Sequence, residues 1–343
     1  WTAALAETIK KMPKGKGEEP NAVELEFVQA TDVMRESLGN TPETREAELR
    51  SAQVLAGYQG TVDEAQVRAQ RLIDTAPKTK QALIAARLLV QIKSDQIGKD
   101  LKAKGIAETE AEDLRKTLSL LRSNTELMTA DKTEGKGKLT ELIAVQENRL
   151  RVGIIAFKEK NQDFNAAALD YEAYARDAKD PVIAEKALAN GLLAYEKAEN
   201  FEGAQRIAKA WLTRFPASKG AMAALRSSAT TALVMGNYPY SIWLFERVGA
   251  VTGDETAYLT TIQLRDGIGD VLGAAAASDY FLKRYPKSGA RWRVWLEQAR
   301  ALEADPKTED QALGKYRGCF AGGAAEIKAE CGVRAAQILG RLK

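Results

Sequence analysis

Apolar residues recur three and four positions apart in stretches of roughly 12 to 20 residues, and Asn, Gly, Asp and Pro separate those stretches. The β-branched alternation that marks strands is rare, while Ala, Leu, Glu, Lys, Arg and Gln dominate. This pattern predicts an all-α chain of short antiparallel helices. The longest uncharged run, Ser227 to Phe245, is broken by Gly236, Asn237 and Pro239, so it predicts a buried helix, a turn and a second helix. No integral membrane segment is expected in this chain. A short N-terminal helix is expected to lead into a Lys-, Gly- and Glu-rich linker from Pro13 to Pro20.

Comparing the chain with itself exposes a repeat. Phe201 is followed three residues later by Ala204, and Pro216 stands twelve residues beyond that. Val62, Ala65 and Pro77 keep the same intervals, as do Val271, Ala274 and Pro286. Tyr238, Ser241 and Gly253 keep them with a glycine as terminator, and Phe164 and Ala167 run two residues late to Pro181. The anchors Phe164, Phe201, Tyr238 and Val271 are spaced by 37, 37 and 33 residues, the period of helical hairpins. The small residue lets two helices approach closely, the anchor is expected to plug the gap at the turn, and proline stops the second helix. A second signature marks the junctions: Trp211-Leu-Thr-Arg-Phe-Pro216-Ala-Ser218 parallels Phe281-Leu-Lys-Arg-Tyr-Pro286-Lys-Ser288. There the aromatic caps the core and the serine is placed to N-cap the following helix.

These residues resemble the tetratricopeptide repeat family, and the aromatic-Pro-x-Ser junction is similar to the variant of bacterial envelope proteins that assist outer-membrane assembly and cell division. The resemblance is specific over Val182 to Leu302, where Tyr195, Tyr258 and Trp292 fall near the bulky first-helix sites of the family. It implies a right-handed α-solenoid of antiparallel helical hairpins. The expected division is an N-terminal helix and linker (1–20), irregular helical repeats (21–137), a tetratricopeptide-like solenoid (138–323) and a C-terminal capping helix (324–343). From Lys78 to Lys138 the period is lost, with long helices near Glu110 to Leu127 and Lys138 to Lys160 and a solvated loop at 132 to 138. In the family the first helices of successive hairpins line a concave groove that receives a partner. Carried over residue by residue, that implies Lys186, Glu196, Arg226, Gln263, Asp266, Arg293, Glu297 and Arg300 as partner-binding positions.

Composition narrows the chemistry. The 343 residues carry 50 Lys and Arg against 47 Asp and Glu, a formal charge of +3, so no basic excess points to nucleic acid. Histidine is absent, which removes imidazole-based triads, histidine zinc sites and histidine-held haem. Nothing calls for a cofactor. Cys319 and Cys331 are too few for a structural metal without histidine; they either pair or are inert. A bridge between them closes a loop worth about 3 kcal/mol and implies an oxidising compartment. Only Trp1, Phe27 and Tyr58 among the aromatics precede residue 157, which predicts a leaner N-terminal half that is more mobile or partner-dependent. The chain opens on Trp1 rather than Met, as a processed piece would, with any leader or lipid-anchor cysteine upstream.

Single motifs add little. Gly267 to Gly273 misses the spacing of a dinucleotide loop and predicts the turn inside a hairpin. Glu108, Glu110, Glu112 and Asp113 suit a helix start, where acids complement the macrodipole. Asp266 and Asp270 lie four apart without a second catalytic signal. Trp292 and Trp295 are expected in the core, with Arg293 turned outward toward the face of Glu297 and Arg300.

The leading functional expectation is a non-enzymatic scaffold that binds a protein or peptide in its groove. By resemblance it belongs at the bacterial periplasm or the periplasmic face of the outer membrane, reaching a membrane through a partner or an upstream anchor. Two alternatives stand beside it: a helical-toroid enzyme acting on glycans through Asp or Glu, such as Asp266 and Glu297, and a cytoplasmic adaptor with both thiols reduced. The oligomeric state is left open.

Overall fold

A computed structural model describes residues 2–11, 19–103, 105–304 and 306–341. Among these residues every regular element is a helix, and most helices pack against their sequence neighbours. The expected linker from Pro13 to Pro20 lies almost wholly outside the described residues. The chain divides into two compact units, Trp1–Arg176 and Asp177–Lys343.

The first unit holds α1 (Thr2–Lys11), α2 (Ala22–Leu38), α3 (Pro42–Leu55), α4 (Val62–Thr75), α5 (Lys80–Ala103), α6 (Glu108–Ser123), α7 (Thr125–Thr133), α8 (Lys138–Lys160) and α9 (Phe164–Asp177). Its core is continuous and aliphatic: Leu72, Leu83, Leu89, Ile106, Leu114, Leu118, Ile143 and Leu150 belong to one buried cluster. The expectation of a leaner N-terminal half is therefore corrected, because Leu, Ile and close-packed Ala supply the burial that aromatics supply elsewhere. The single helix expected near Glu110 to Leu127 is in fact two. Asn124 breaks it by accepting the Leu127 N–H at 3.0 Å, as a short polar side chain does when it competes with the helix and caps a new one. The loop at 132 to 138 is only partly solvated, since Gly135 packs against Asp131. Asp131 is buried and receives the N–H groups of Leu139 and Thr140 at 3.0 and 2.9 Å, which fixes the start of α8. Before α6 the chain crosses α8 so closely that Ile106 N–H bonds to the Gly153 carbonyl at 3.1 Å. A Cβ on Gly105 would stand 2.5 Å from the Phe157 nitrogen, and its φ of +76° suits glycine alone.

The second unit holds α10 (Pro181–Lys197), α11 (Phe201–Arg214), α12 (Lys219–Val234), α13 (Tyr238–Thr252), α14 (Glu255–Gly267), α15 (Val271–Arg284), α16 (Arg291–Glu303), α17 (Glu309–Gly322) and α18 (Ala325–Arg341). The helices stack as successive antiparallel hairpins, a helical solenoid. The repeat register has a local cause. Each anchor is the first residue of the second helix of its hairpin, and the residue before it caps that helix. Asp163, Asn200, Asn237 and Asp270 accept the N–H groups of Ala166, Gly203, Tyr240 and Gly273 at 3.2, 2.9, 3.2 and 2.9 Å. One residue earlier the backbone is left-handed, with φ of +62° at Gln162, +54° at Glu199, +77° at Gly236 and +78° at Gly269. This closes the preceding helix in a Schellman turn.

Ala167, Ala204, Ser241 and Ala274, three residues beyond each anchor, are all buried as expected. The anchors differ from expectation: Tyr238 and Val271 are exposed, because the first position of a helix points its side chain off the turn. Pro181 also departs from the pattern, opening α10 at its first position, where proline's missing N–H costs nothing. Pro216 and Pro286 do follow helix ends and Ser218 N-caps α12 as expected, but the N-cap of α16 is Ala290, so Ser288 closes a turn ahead of the helix rather than capping it. Ser218 takes the Ala221 N–H and Ser288 the Ala290 N–H, each at 3.0 Å. Both hydroxyls also bond to a first-helix carboxylate thirty-three residues earlier, Glu185 and Glu255. Trp292 and Trp295 meet edge to face, with centroids 5.3 Å apart, over Gly322 and Gly318 of α17.

Candidate functional site

Stacking two hairpins brings their first helices side by side. Between α10 and α12 this leaves a cleft of about 500 Å³. From α10 come Ala189, Leu192, Leu193 and Glu196, and from α12 come Ala224, Ser227, Ser228 and Thr231. Lys197, Glu199 and Met235 stand at the hairpin-turn end. Leu192 is fully buried at the floor, whereas Leu193 and Met235 are each 54% exposed. Large apolar groups are held in the open here by the helix periodicity that buries their neighbours, and such a surface is suited to a partner.

The polar feature of the floor is Glu196. It is half-buried and accepts the Tyr240 hydroxyl at 2.9 Å, with Ser228 as a second hydroxyl partner. Burial pushes its carboxyl above the ordinary glutamate value, and the bonds from Ser228 and Tyr240 only partly offset that. Tyr240 is buried on α13, and burial together with the Glu196 charge pushes its phenol upward too.

The other implied binding residues all lie on first helices, in different settings. Lys186 on α10, Gln263 and Asp266 on α14 and Arg293 on α16 are exposed. Arg226 on α12 is tied to the Asp254 carboxylate at 2.5 Å, linking α12 to the cap of α14. Arg300 bonds both oxygens of Glu297 at 3.1 Å and also pairs with Glu330 of α18, so Glu297 and Arg300 brace the end of the chain. The structure thus brings Glu196 alone of these eight into the cleft. It adds Leu193, Ser228 and Met235, which the residue-by-residue carry-over passed over because it weighted charge. The signal available for them was the exposure expected of Leu193, one position after the buried face of α10.

A second cleft of about 460 Å³ lies in the first unit, bordered by Arg115, Arg122 and Arg151 with Glu108, Glu147 and Asp170. Its charges largely answer one another: Arg122 meets Glu147 at 2.6 Å, and Lys158 reaches Glu108 at 2.8 Å and Asp170 at 2.7 Å. The Asp266 and Asp270 pair offers no acid–base couple, because Asp270 caps Gly273 and pairs with Arg265 while Asp266 faces solvent. Glu108 and Glu110 open α6, and Glu110 takes the Ala107 N–H at 3.3 Å, as a helix start requires. Among the described residues no group of three or more Cys, Asp or Glu is placed to hold a metal. Cys319 and Cys331 are both buried and joined as a disulfide, with Cα atoms 6.1 Å apart, stapling α17 to α18.

No protein-family model matches the sequence, and no curated protein matches it. Among solved structures the chain is similar to a human IFIT1 dimer with m7Gppp-AAAA, with a TM-score of 0.29, 11% identity and coverage of 92% of this chain and 68% of that one. It is also similar to a tetratricopeptide repeat protein from Parabacteroides merdae, with a TM-score of 0.27, 13% identity and coverage of 86% and 98%. The P58(IPK) TPR domain gives a TM-score of 0.28, 17% identity and coverage of 100% and 99%.

Proposed function

We propose that this chain is a non-enzymatic scaffold that receives a segment of a protein partner in the cleft between α10 and α12, as one component of a bacterial cell-envelope complex. The observation that carries the binding reading is the cleft itself, with an apolar floor at Leu192, open apolar shoulders at Leu193 and Met235, and one polar group at its base. Contacts of this kind give affinity through apolar anchors and orientation through a few placed polar groups. The envelope reading draws on two features: the aromatic-Pro-x-Ser junctions, and a buried disulfide of the kind oxidising compartments sustain. Among the described residues no helix is long and apolar enough to cross a membrane.

The test is site-specific photocrosslinking in the native host. A crosslinking residue is placed at Leu193 or Met235, with Val333 of α18, 57% exposed, as the control position. One discrete adduct from the two cleft positions is the expected result, absent at the control and abolished at Leu193 by Met235→Glu and at Met235 by Leu193→Glu. Equal adducts at all three positions, or none at the cleft, overturn the reading.

A further inference from the structure

We infer that the segment seated in the α10/α12 cleft presents a lysine or arginine side chain between aliphatic residues, its cation resting on the Glu196 carboxylate. The inference rests on the scaffold reading above and specifies its ligand.

The argument starts from how this chain treats carboxylates that leave water. Glu48 is buried and meets Arg71 at 2.7 Å and Arg35 at 3.7 Å. Glu303 is held by Arg341 at 2.9 Å and Arg334 at 3.8 Å, and Glu246 by Arg265 at 2.6 Å. A charge moved into an apolar setting needs such a partner or a fuller set of hydrogen bonds, as Asp131 has from the Leu139 and Thr140 N–H groups and the Thr140 hydroxyl. Among the described residues Glu196 has no cation of this kind. Its partners are the hydroxyls of Tyr240 and Ser228, both neutral, and burial keeps its carboxyl above the ordinary range.

Two hydroxyls also leave the group short of bonds. An ionised carboxylate offers about four acceptor positions, so about half of its capacity faces the cleft. Glu24 and Glu185 likewise lack a cation among the described residues, but Glu24 takes the Asn21 N–H at 2.9 Å and the Tyr58 hydroxyl at 2.6 Å, Glu185 takes the Trp211 indole N–H at 3.1 Å and the Ser218 hydroxyl, and neither borders the two clefts described above.

The cleft supplies what a basic side chain requires. Lysine and arginine bury an aliphatic stem while keeping the charged head on a polar group. Leu192 lines the path down to Glu196, and the exposed Leu193 and Met235 accept the stem and its flanking residues. Lys197 and Glu199, of opposite charge, border the same cleft. A peptide side chain fits this layout better than a free polyamine, because the exposed Leu193 and Met235 match flanking aliphatic residues rather than a second ammonium group.

The experiment uses the full chain and three fluorescein-labelled peptides, Gly-Ser-Leu-Xaa-Leu-Ser-Gly with Xaa as lysine, norleucine or glutamate, read by fluorescence anisotropy. The lysine peptide is expected to bind at least tenfold more tightly than the other two. Glu196→Gln, which keeps the Tyr240 hydrogen bond, is expected to remove that preference, so that the lysine and norleucine peptides bind alike. Glu196→Asp, carrying the charge on a shorter arm, is expected to keep part of it and guards against a fold defect in the amide variant. Leu193→Glu is expected to weaken the lysine and norleucine peptides alike. Equal binding of lysine and norleucine peptides, both sensitive to Leu193→Glu, overturns the inference while the cleft remains a docking site. Binding of none of the peptides, or binding indifferent to Leu193→Glu, overturns it together with the docking site. Displacement of the lysine peptide by spermidine at equal concentration overturns the peptide assignment in favour of a small amine.

Discussion

Gly203→Ala separates two forces that act in opposite directions. In an exposed helix interior, replacing glycine with alanine stabilises by about 1 kcal/mol, because alanine has less backbone freedom to lose. At Gly203 the added Cβ would stand 2.5 Å from two carbons of the Tyr195 ring and 2.9 Å from a third. Comfortable carbon contacts need about 3.5 Å or more, so the ring or α11 must shift by about 1 Å. The ring has little room to move: Tyr195 is fully buried, Arg206 stacks on it with a centroid distance of 5.4 Å, and the same guanidinium donates to its hydroxyl at 2.7 Å. Overpacking of this sort costs about 1 to 3 kcal/mol, which exceeds the helix gain and leaves a net loss of up to about 2 kcal/mol. In a unit of this size that lowers the melting temperature by up to about 4 to 8 °C. The assay is thermal unfolding of the full chain followed by far-UV circular dichroism. Gly314→Ala is the control: Gly314 lies on the exposed face of α17 with nothing within 4 Å, so this variant should melt about 2 to 3 °C higher. Adding Tyr195→Leu should erase the cost of Gly203→Ala, a coupling that a double-mutant cycle measures directly. A rise for Gly203→Ala comparable with that for Gly314→Ala would refute the close contact and the hairpin register built on it.

Three further outcomes follow from other parts of the molecule. Gln162→Gly relieves a side chain held at φ of +62° and should stabilise by about 1 kcal/mol in urea unfolding, whereas a loss would mean the turn is not left-handed. Cys319→Ala with Cys331→Ala should cost about 3 kcal/mol through the opened loop, and maleimide labelling of both cysteines in the unreduced native protein would exclude the bridge. Asp131→Ala should cost about 2 kcal/mol near pH 7 by stranding the first N–H groups of α8. Burial opposes ionisation of Asp131, but the bonds from Leu139 and Thr140 outweigh it and hold the carboxyl below the ordinary aspartate value. Its contribution is therefore fully present above that ordinary value and is lost as pH falls through the folded-state value. The gap between wild type and variant should close on acidification in paired urea titrations, and a gap that widens would contradict the sign.

The helical character of the chain, the hairpin period and the junctions were legible in the sequence because each rests on local physics. Proline cannot continue a helix, serine caps one, and a small residue recurs where two helices touch. The pair formed by a left-handed residue and an Asx cap was equally local and was present at 162–163, 199–200, 236–237 and 269–270. It went unread because only two of the four left-handed residues are glycine. Asn124 was missed for a related reason, since a single capping side chain inside an apolar pattern looks like an interruption until the new helix axis is seen. Glu196 was selected on the sequence as one charge among eight on a groove face, and nothing local distinguishes it from Glu297. Tertiary structure decides the difference. Stacking α10 against α12 and α13 removes Glu196 from water and gives it hydroxyls instead of a cation, whereas α18 brings Glu330 to share Arg300 with Glu297. Propensity and capping act over one helical turn, so the sequence carries them openly; desolvation and charge pairing depend on which distant helix arrives, and only the assembled fold specifies that.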